Sequence, residues 1–195
     1  MSRDKLYFYS KSRDVPPGRG TNEFVADECN YADLAKIPNW RRLLSNFHAP
    51  GGHIKYGGHE FMTIEHAFQS TKIALRDPIT AKSFAIESGS ALALHRDGSE
   101  AQKNRKIIKL NPEEIDKWSQ MSINVMKDAA MSLYSDPLNE YERSTLLATK
   151  ESELWHIQNR KPAIRFMHLE EVRSILKKSS ICNINSDQCL IDLRK

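Results

Sequence analysis

Long apolar runs are missing from this sequence. No stretch approaches the roughly 18 consecutive apolar residues of a membrane span, and the opening MSRDKLYFYS has no leader-like apolar run. Neither a membrane-embedded nor a secreted protein is expected. Cysteine is scarce as well: Cys29, Cys182 and Cys189 are odd in number and far apart, so no disulfide framework can be read and a reducing, cytoplasmic setting fits best. Charge of one sign is not in large excess. The 29 Lys and Arg against 25 Asp and Glu leave a formal +4, too little for a polybasic nucleic-acid binder but suited to a phosphorylated or nucleotide ligand. What is present is an ordinary globular composition, 39% hydrophobic over 195 residues, from which one domain with its own core is expected.

Several site signatures are absent too. G-x-G-x-x-G and G-x-x-x-x-G-K-[ST] do not occur, and Gly18-Arg19-Gly20 lacks a third glycine and a following helix. No G-x-S-x-G elbow appears. His59-Glu60 and Glu65-His66 resemble fragments of a zinc motif, but neither H-E-x-x-H nor H-x-x-E-H is complete, because Thr63 occupies the place of a second ligand. No metal or redox cofactor is expected.

The patterning predicts a mainly helical, multihelical single domain with a small amino-terminal β element. Leu6 to Ser10 reads as a short strand before the loop SRDVPPGRGT, ADECNYADLAKI as an irregular helix, and HIKYGGHEF as a hairpin turning at Gly57-Gly58. After Met62 the sequence reads as helix after helix. Thr63 caps one, Asp77-Pro78 opens another ending before Gly89, and Ser99 opens a third. Asn111-Pro112-Glu113-Glu114 starts the longest, whose stripe Trp118, Met121, Val125, Ala129 and Leu133 carries it to about Tyr134. Further helices are expected near Glu140 to Thr149 and Leu169 to Lys177. The domain spans residues 1–178, and 179–195 form a polar, loosely held tail.

On the helix opened by Thr63, a spacing of 100° per residue gathers Ile64, Ala67, Phe68, Thr71, Ala74 and Leu75 into a buried face. Glu65, Gln69 and Lys72 form a second stripe along its edge. A carboxylate, an amide and an amine stacked there can line a pocket. Read alone, Glu65 equally suits stabilisation of the helix start, and Lys72 a solvated surface. Trp118 and Trp155 suit either core packing or stacking on a base. Arg96, Lys103, Arg105 and Lys106 form one basic cluster, and Arg160, Lys161 and Arg165 a second, each a phosphate site only if it faces the pocket of Glu65.

Leu44 to Lys72, LSNFHAPGGHIKYGGHEFMTIEHAFQSTK, resembles the signature of the NADAR superfamily, also called YbiA-like: an L-S-N-F motif, a short hairpin and an E-H-x-x-Q-x-x-K helix. Phe8 to Ser10, His95-Arg96-Asp97, Trp118 with Val125-Met126, and LLATKESELWH follow in the family's order. The resemblance implies a YbiA-like fold and an N-glycosidase cleaving a ribosyl C–N bond in a phosphoribosylated or ADP-ribosylated base, the latter including ADP-ribosylated nucleic acid. It implies Glu65 as the catalytic carboxylate, Asn46 and Gln69 on ribose hydroxyls, and Lys72 and Arg96 on phosphate. At least one of Tyr9, Phe47 and Trp118 is expected to border the pocket, with Tyr9 or Trp118 against the base. Where bacterial riboflavin-intermediate hydrolases of the family carry an acid and a W-G pair, this chain reads QNRKPAIRF, which brings Arg160 and Arg165 forward as ligand contacts. The competing class is a module that binds ADP-ribose or a related nucleotide without cleaving it.

Overall fold

A computed structural model describes residues 3–158 and 161–192, with side chains through residue 179. The first strand, β1 (Lys5–Phe8), alternates half-buried and buried residues and sends Leu6 and Phe8 into the core. A loop follows, then a 3₁₀ turn at Glu28–Tyr31 and two short helices, α1 (Ala32–Ala35) and α2 (Trp40–Leu43). The hairpin β2 (Ile54–Tyr56) and β3 (His59–Phe61) turns at Gly57 and Gly58, with φ of 58° and 79°. Positive φ at both central residues gives the type I′ geometry that matches strand twist, and explains the glycine pair.

Thr63 caps α3 (Ile64–Ala74) by accepting from the backbone of His66. Asp77 caps α4 (Pro78–Lys82), and Asp97, not Ser99, caps α5, which begins one residue earlier than expected (Gly98–Lys103). The long helix α6 (Pro112–Ser135) opens on a complete capping box: Asn111 Oδ1 accepts from the Glu114 amide at 2.8 Å, and Glu114 Oε2 accepts from the Asn111 amide at 2.7 Å. Val125, Ala129 and Leu133 are buried along it, as the stripe predicts. After α7 (Glu140–Ala148) the expected run of helices is broken. Two strands, β4 (Glu153–Gln158) and β5 (Lys161–Arg165), precede α8 (Met167–Asp192), whose helix runs past the expected end at Lys177.

These late strands complete the N-terminal sheet. β4 lies between β1, to which it is parallel with Leu6 opposite Leu154, and β5, to which it is antiparallel. A single core joins the sheet to the helices through Leu6, Phe8, Trp40, Leu44, Ile64, Ile73, Phe84, Leu133, Tyr134, Leu154, Leu169 and Val172. Each such side chain contributes about 1.5–3 kcal/mol on burial. A buried ion pair fastens the loop after β1: Arg41 Nη2 lies 2.7 Å from Glu23 Oε2, and neither side chain is more than 3% exposed. Among the described residues no helix is long and apolar enough to cross a membrane.

Candidate active site

The first turn of α3 is buried on more sides than its apolar stripe predicts. Glu65, His66, Gln69 and Ser70 are inside together with Ile64, Ala67 and Ile73, while Ala74 is exposed and Phe68, Thr71 and Leu75 are half-buried. Two segments distant in sequence cover it. The Glu65 amide donates to the carbonyl of Asn46 at 3.1 Å, and the Gly98 amide to that of Phe47 at 3.0 Å. A Cβ on Gly98 would stand 2.7 Å from Phe47 Cα and 3.0 Å from Glu65 Cβ, so only glycine admits this approach. Sequence reasoning passed over Gly98, although it directly follows His95-Arg96-Asp97. His66 is structural: its Nδ1 meets Thr63 Oγ1 at 2.8 Å and its Nε2 donates to the Leu92 carbonyl at 3.0 Å, while burial holds its pKa down.

Glu65 is 6% exposed, and its Oε1 accepts from Gln69 Nε2 at 2.7 Å. Burial pushes its pKa up, against the Gln69 hydrogen bond and the fields of Arg105 and Lys72, which favour the ionised form. Asn46 is equally buried, with its Nδ2 3.0 Å from the sulfur of Met126. The amide oxygens of Asn46 and Gln69 are buried and have no hydrogen-bond partner among the described residues. Two free acceptors near a buried carboxylate suit hydroxyl donors on a ligand.

Lys72, two turns along α3, opens onto a cavity of about 520 Å³ with Arg105, Lys106, Lys109, Ile115 and Trp118. No acidic residue lines it, and none of the four cations has an ion-pair partner among the described residues. The floor is aromatic: Trp118 packs edge to face on Phe68 at 4.7 Å. This is a setting for an anion attached to a flat group. Lys106 and Arg105 belong to a basic cluster evident in the sequence, whereas Lys109 was missed.

The remaining expected contacts are dispersed. Arg96 is exposed and reaches the Pro50 carbonyl at 3.5 Å. Tyr9 lines a different cavity, of about 330 Å³, with Tyr7, Arg13, Arg19 and Arg41. Trp155 stacks on Tyr7 at 6.0 Å and donates to Glu153. Arg165 is held by Glu170 at 2.8 Å and Glu153 at 3.0 Å, a carboxylate pair that occupies its guanidinium. Phe47 packs its backbone over Gly98, and Arg160 lies outside the described residues. Among the described residues no three His, Cys, Asp or Glu side chains gather as a metal site would require.

No family model matches the chain, and no curated protein matches it. Among solved structures, the NMR structure of the E. coli protein YbiA is similar over 93% of this chain and 89% of that one, with a TM-score of 0.55 and 17% sequence identity. At that identity the likeness speaks for the fold alone: the chain has a YbiA-like fold.

Proposed function

We propose that this protein is an N-glycosidase that hydrolyses the bond between a ribosyl carbon and the nitrogen of a base, in a phosphoribosylated or ADP-ribosylated ligand of the cytoplasm. The observation that carries the reading is the buried carboxylate of Glu65, held by Gln69, near two unpartnered amide oxygens and within the field of an acid-free, cation-lined cavity. The resemblance of Leu44 to Lys72 to the NADAR signature supports it separately.

The chemistry follows from the residues. When the C–N bond breaks, its electron pair leaves with the base and positive charge develops on the sugar carbon and ring oxygen. A fixed carboxylate stabilises that charge far better in a buried site than in water. The oxygen of water then bonds to the sugar carbon, and its proton is carried away through Glu65 to the departing nitrogen or to solvent. Asn46 and Gln69 orient ribose hydroxyls, while Lys72 and Arg105 hold phosphate and help to keep Glu65 ionised.

Glu65→Gln keeps the size of the side chain and removes its charge. Base release from phosphoribosylamino-pyrimidine and ADP-ribosyl-guanine substrates, followed by chromatography, is expected to slow roughly 10²–10⁴-fold, with ligand affinity changed much less. Undiminished release in the variant would remove Glu65 from the mechanism. Tight binding without turnover by the wild type would replace the enzyme with a reader.

A further inference from the structure

Ile164, Arg165 and Phe166, the last residues of QNRKPAIRF, line a cavity where the sequence suggested only charged contacts. This cavity, of about 240 Å³, adjoins the Lys72 cavity at Phe68 and lies between β5, the start of α8 and the middle of α6, lined by Phe68, Ser122, Ile123, Met126, Ile164 and Arg165 through His168. Phe68 stands at the boundary of both cavities, since it lines this one and packs on Trp118, which lines the cationic one. Met126 connects this cavity to Glu65: it lies 3.0 Å from Asn46 Nδ2, and Asn46 supplies the carbonyl that receives the Glu65 amide.

The walls differ in chemistry. The first cavity sets Lys72, Arg105, Lys106 and Lys109 around Trp118, with Ile108, Leu110 and Ile115 between them; the second has Arg165 as its one cation, and its uncharged polar side chains are the His168 ring and the hydroxyl of Ser122. Arg165 adds little charge here because Glu153 and Glu170 neutralise it. His168 Nε2 is buried and has no hydrogen-bond partner among the described residues, and the ring leans on Phe166 at 4.7 Å. At the rim Ile123 and Met167 are 70% and 60% exposed. Exposed apolar side chains around a concave site with few polar groups mark a place where a flat, weakly polar molecule is removed from water.

We infer that the Phe166–His168 cavity is the subsite for the departing base, and that a substrate lies across the Phe68–Trp118 wall with its phosphate among Lys72, Arg105 and Lys109. This rests on the N-glycosidase reading for the identity of the ligand, but the division of labour between the cavities can be tested without turnover. His168 supplies a hydrogen bond to an edge of the ring, and Phe68, Met126 and Ile123 its apolar contacts. Ile164 and Phe166, from the sequence that stands in place of the family's acid and W-G pair, thereby join His168 in choosing the base.

The experiment is calorimetric, on the full chain, with guanine and inorganic pyrophosphate as separate probes. Two variants address the base cavity: His168→Leu removes the polar edge, and Ile123→Trp covers the mouth from an exposed helix position, where the fold tolerates it. Both are expected to weaken guanine binding by about tenfold or more, in line with the loss of one buried hydrogen bond or of ring contact, and to leave pyrophosphate binding unchanged. Arg105→Ala with Lys109→Ala is expected to do the reverse. Guanine and pyrophosphate should bind together. Competition between them, no guanine binding by the wild type, or wild-type guanine affinity in both His168→Leu and Ile123→Trp would each overturn the assignment. Glu65→Gln should leave both affinities in place. A protein that shows the two independent affinities but releases no base keeps this subsite and loses the enzyme reading. One that loses turnover in Glu65→Gln yet binds guanine normally in the cavity variants keeps the enzyme reading and loses the subsite.

Discussion

Glu65 sets two free energies against each other. Its place in the first turn of α3 favours the ionised carboxylate by about 0.3–1 kcal/mol through the helix dipole, yet burial is the largest influence and pushes its pKa above the ordinary 4.5. The folded protein thus holds this proton more tightly than the unfolded chain does. Stability from the group is full below the unfolded value and is lost as pH rises through the folded one, so the carboxylate opposes folding at neutral pH. Glu65→Gln should therefore raise Tm at pH 7 by a few degrees, because about 1 kcal/mol moves a domain of this size by roughly 2–4 °C, and should show no such gain at pH 4. A glutamate kept only to stabilise its helix would give a lower Tm in the variant at pH 7. A gain in stability with a loss of base release is the signature of a group retained for chemistry.

Among the elements, the connection of β5 to α8 is where sequence and structure part. Arg165, expected on a ligand phosphate, instead joins Glu153 on β4 to Glu170 on α8, and Glu170 also receives the Leu154 amide at 3.0 Å. Arg165→Met should lower Tm, on the order of 1–2 kcal/mol for a partly buried network, and leave pyrophosphate affinity untouched; weaker pyrophosphate binding at unchanged Tm would restore its ligand role. The caps of α3, α4 and α6, the glycine hairpin and the stripe of α6 were legible because each is written within a few neighbouring residues. The strands β4 and β5 were not, since β4 finds its parallel partner about 150 positions earlier, at Leu6 against Leu154, and no local pattern reports that distance. ELWHIQ nonetheless carried an aromatic and β-branched signal that a strand reading could have used. Of the residues that one motif groups, Glu65, Asn46 and Gln69 are buried together at the start of α3 and line none of the cavities described above, whereas Lys72 opens onto the cationic one. The placement of Gly98, Lys109 and His168 was not legible, because it depends on what the fold lays against them. Lys150 shows the same from the other side: it adopts φ of 53°, a left-handed conformation that its side chain gives no reason to expect.

At the scale of the whole molecule, the aromatic stack that joins the sheet to α8 contains two imidazoles. His156 of β4 stacks on Phe166 at 4.8 Å, Phe166 touches His168 at 4.7 Å, and Phe8 of β1 meets both His156 and Phe166 edge on. Burial holds both histidines down to about 4 from 6.5, and mutual repulsion adds to the effect at His168. In the unfolded chain each takes a proton near 6.5, so the unfolded state binds more protons than the folded one between the two values. Stability that is complete above pH 6.5 must then decline as pH falls toward 4. The carboxylates Glu142 and Glu170 do not mask this, because hydrogen bonding holds them below their ordinary range in spite of burial and they lose their share only at lower pH, while His66, also held down by burial, adds to the decline. Glu65 has the opposite sign and offsets part of the decline. Melting temperatures measured at half-unit steps from pH 7.5 to 4 should fall through this window in the wild type and fall much less in His156→Phe combined with His168→Phe, where the stack keeps its apolar contacts without a titrating nitrogen. Parallel profiles for the two proteins would mean that acid acts elsewhere in the fold. If the flattening is found, the same acid pH that loosens the sheet from α8 also opens the cavity lined by Phe166 and His168, and guanine affinity should decline with Tm over that range.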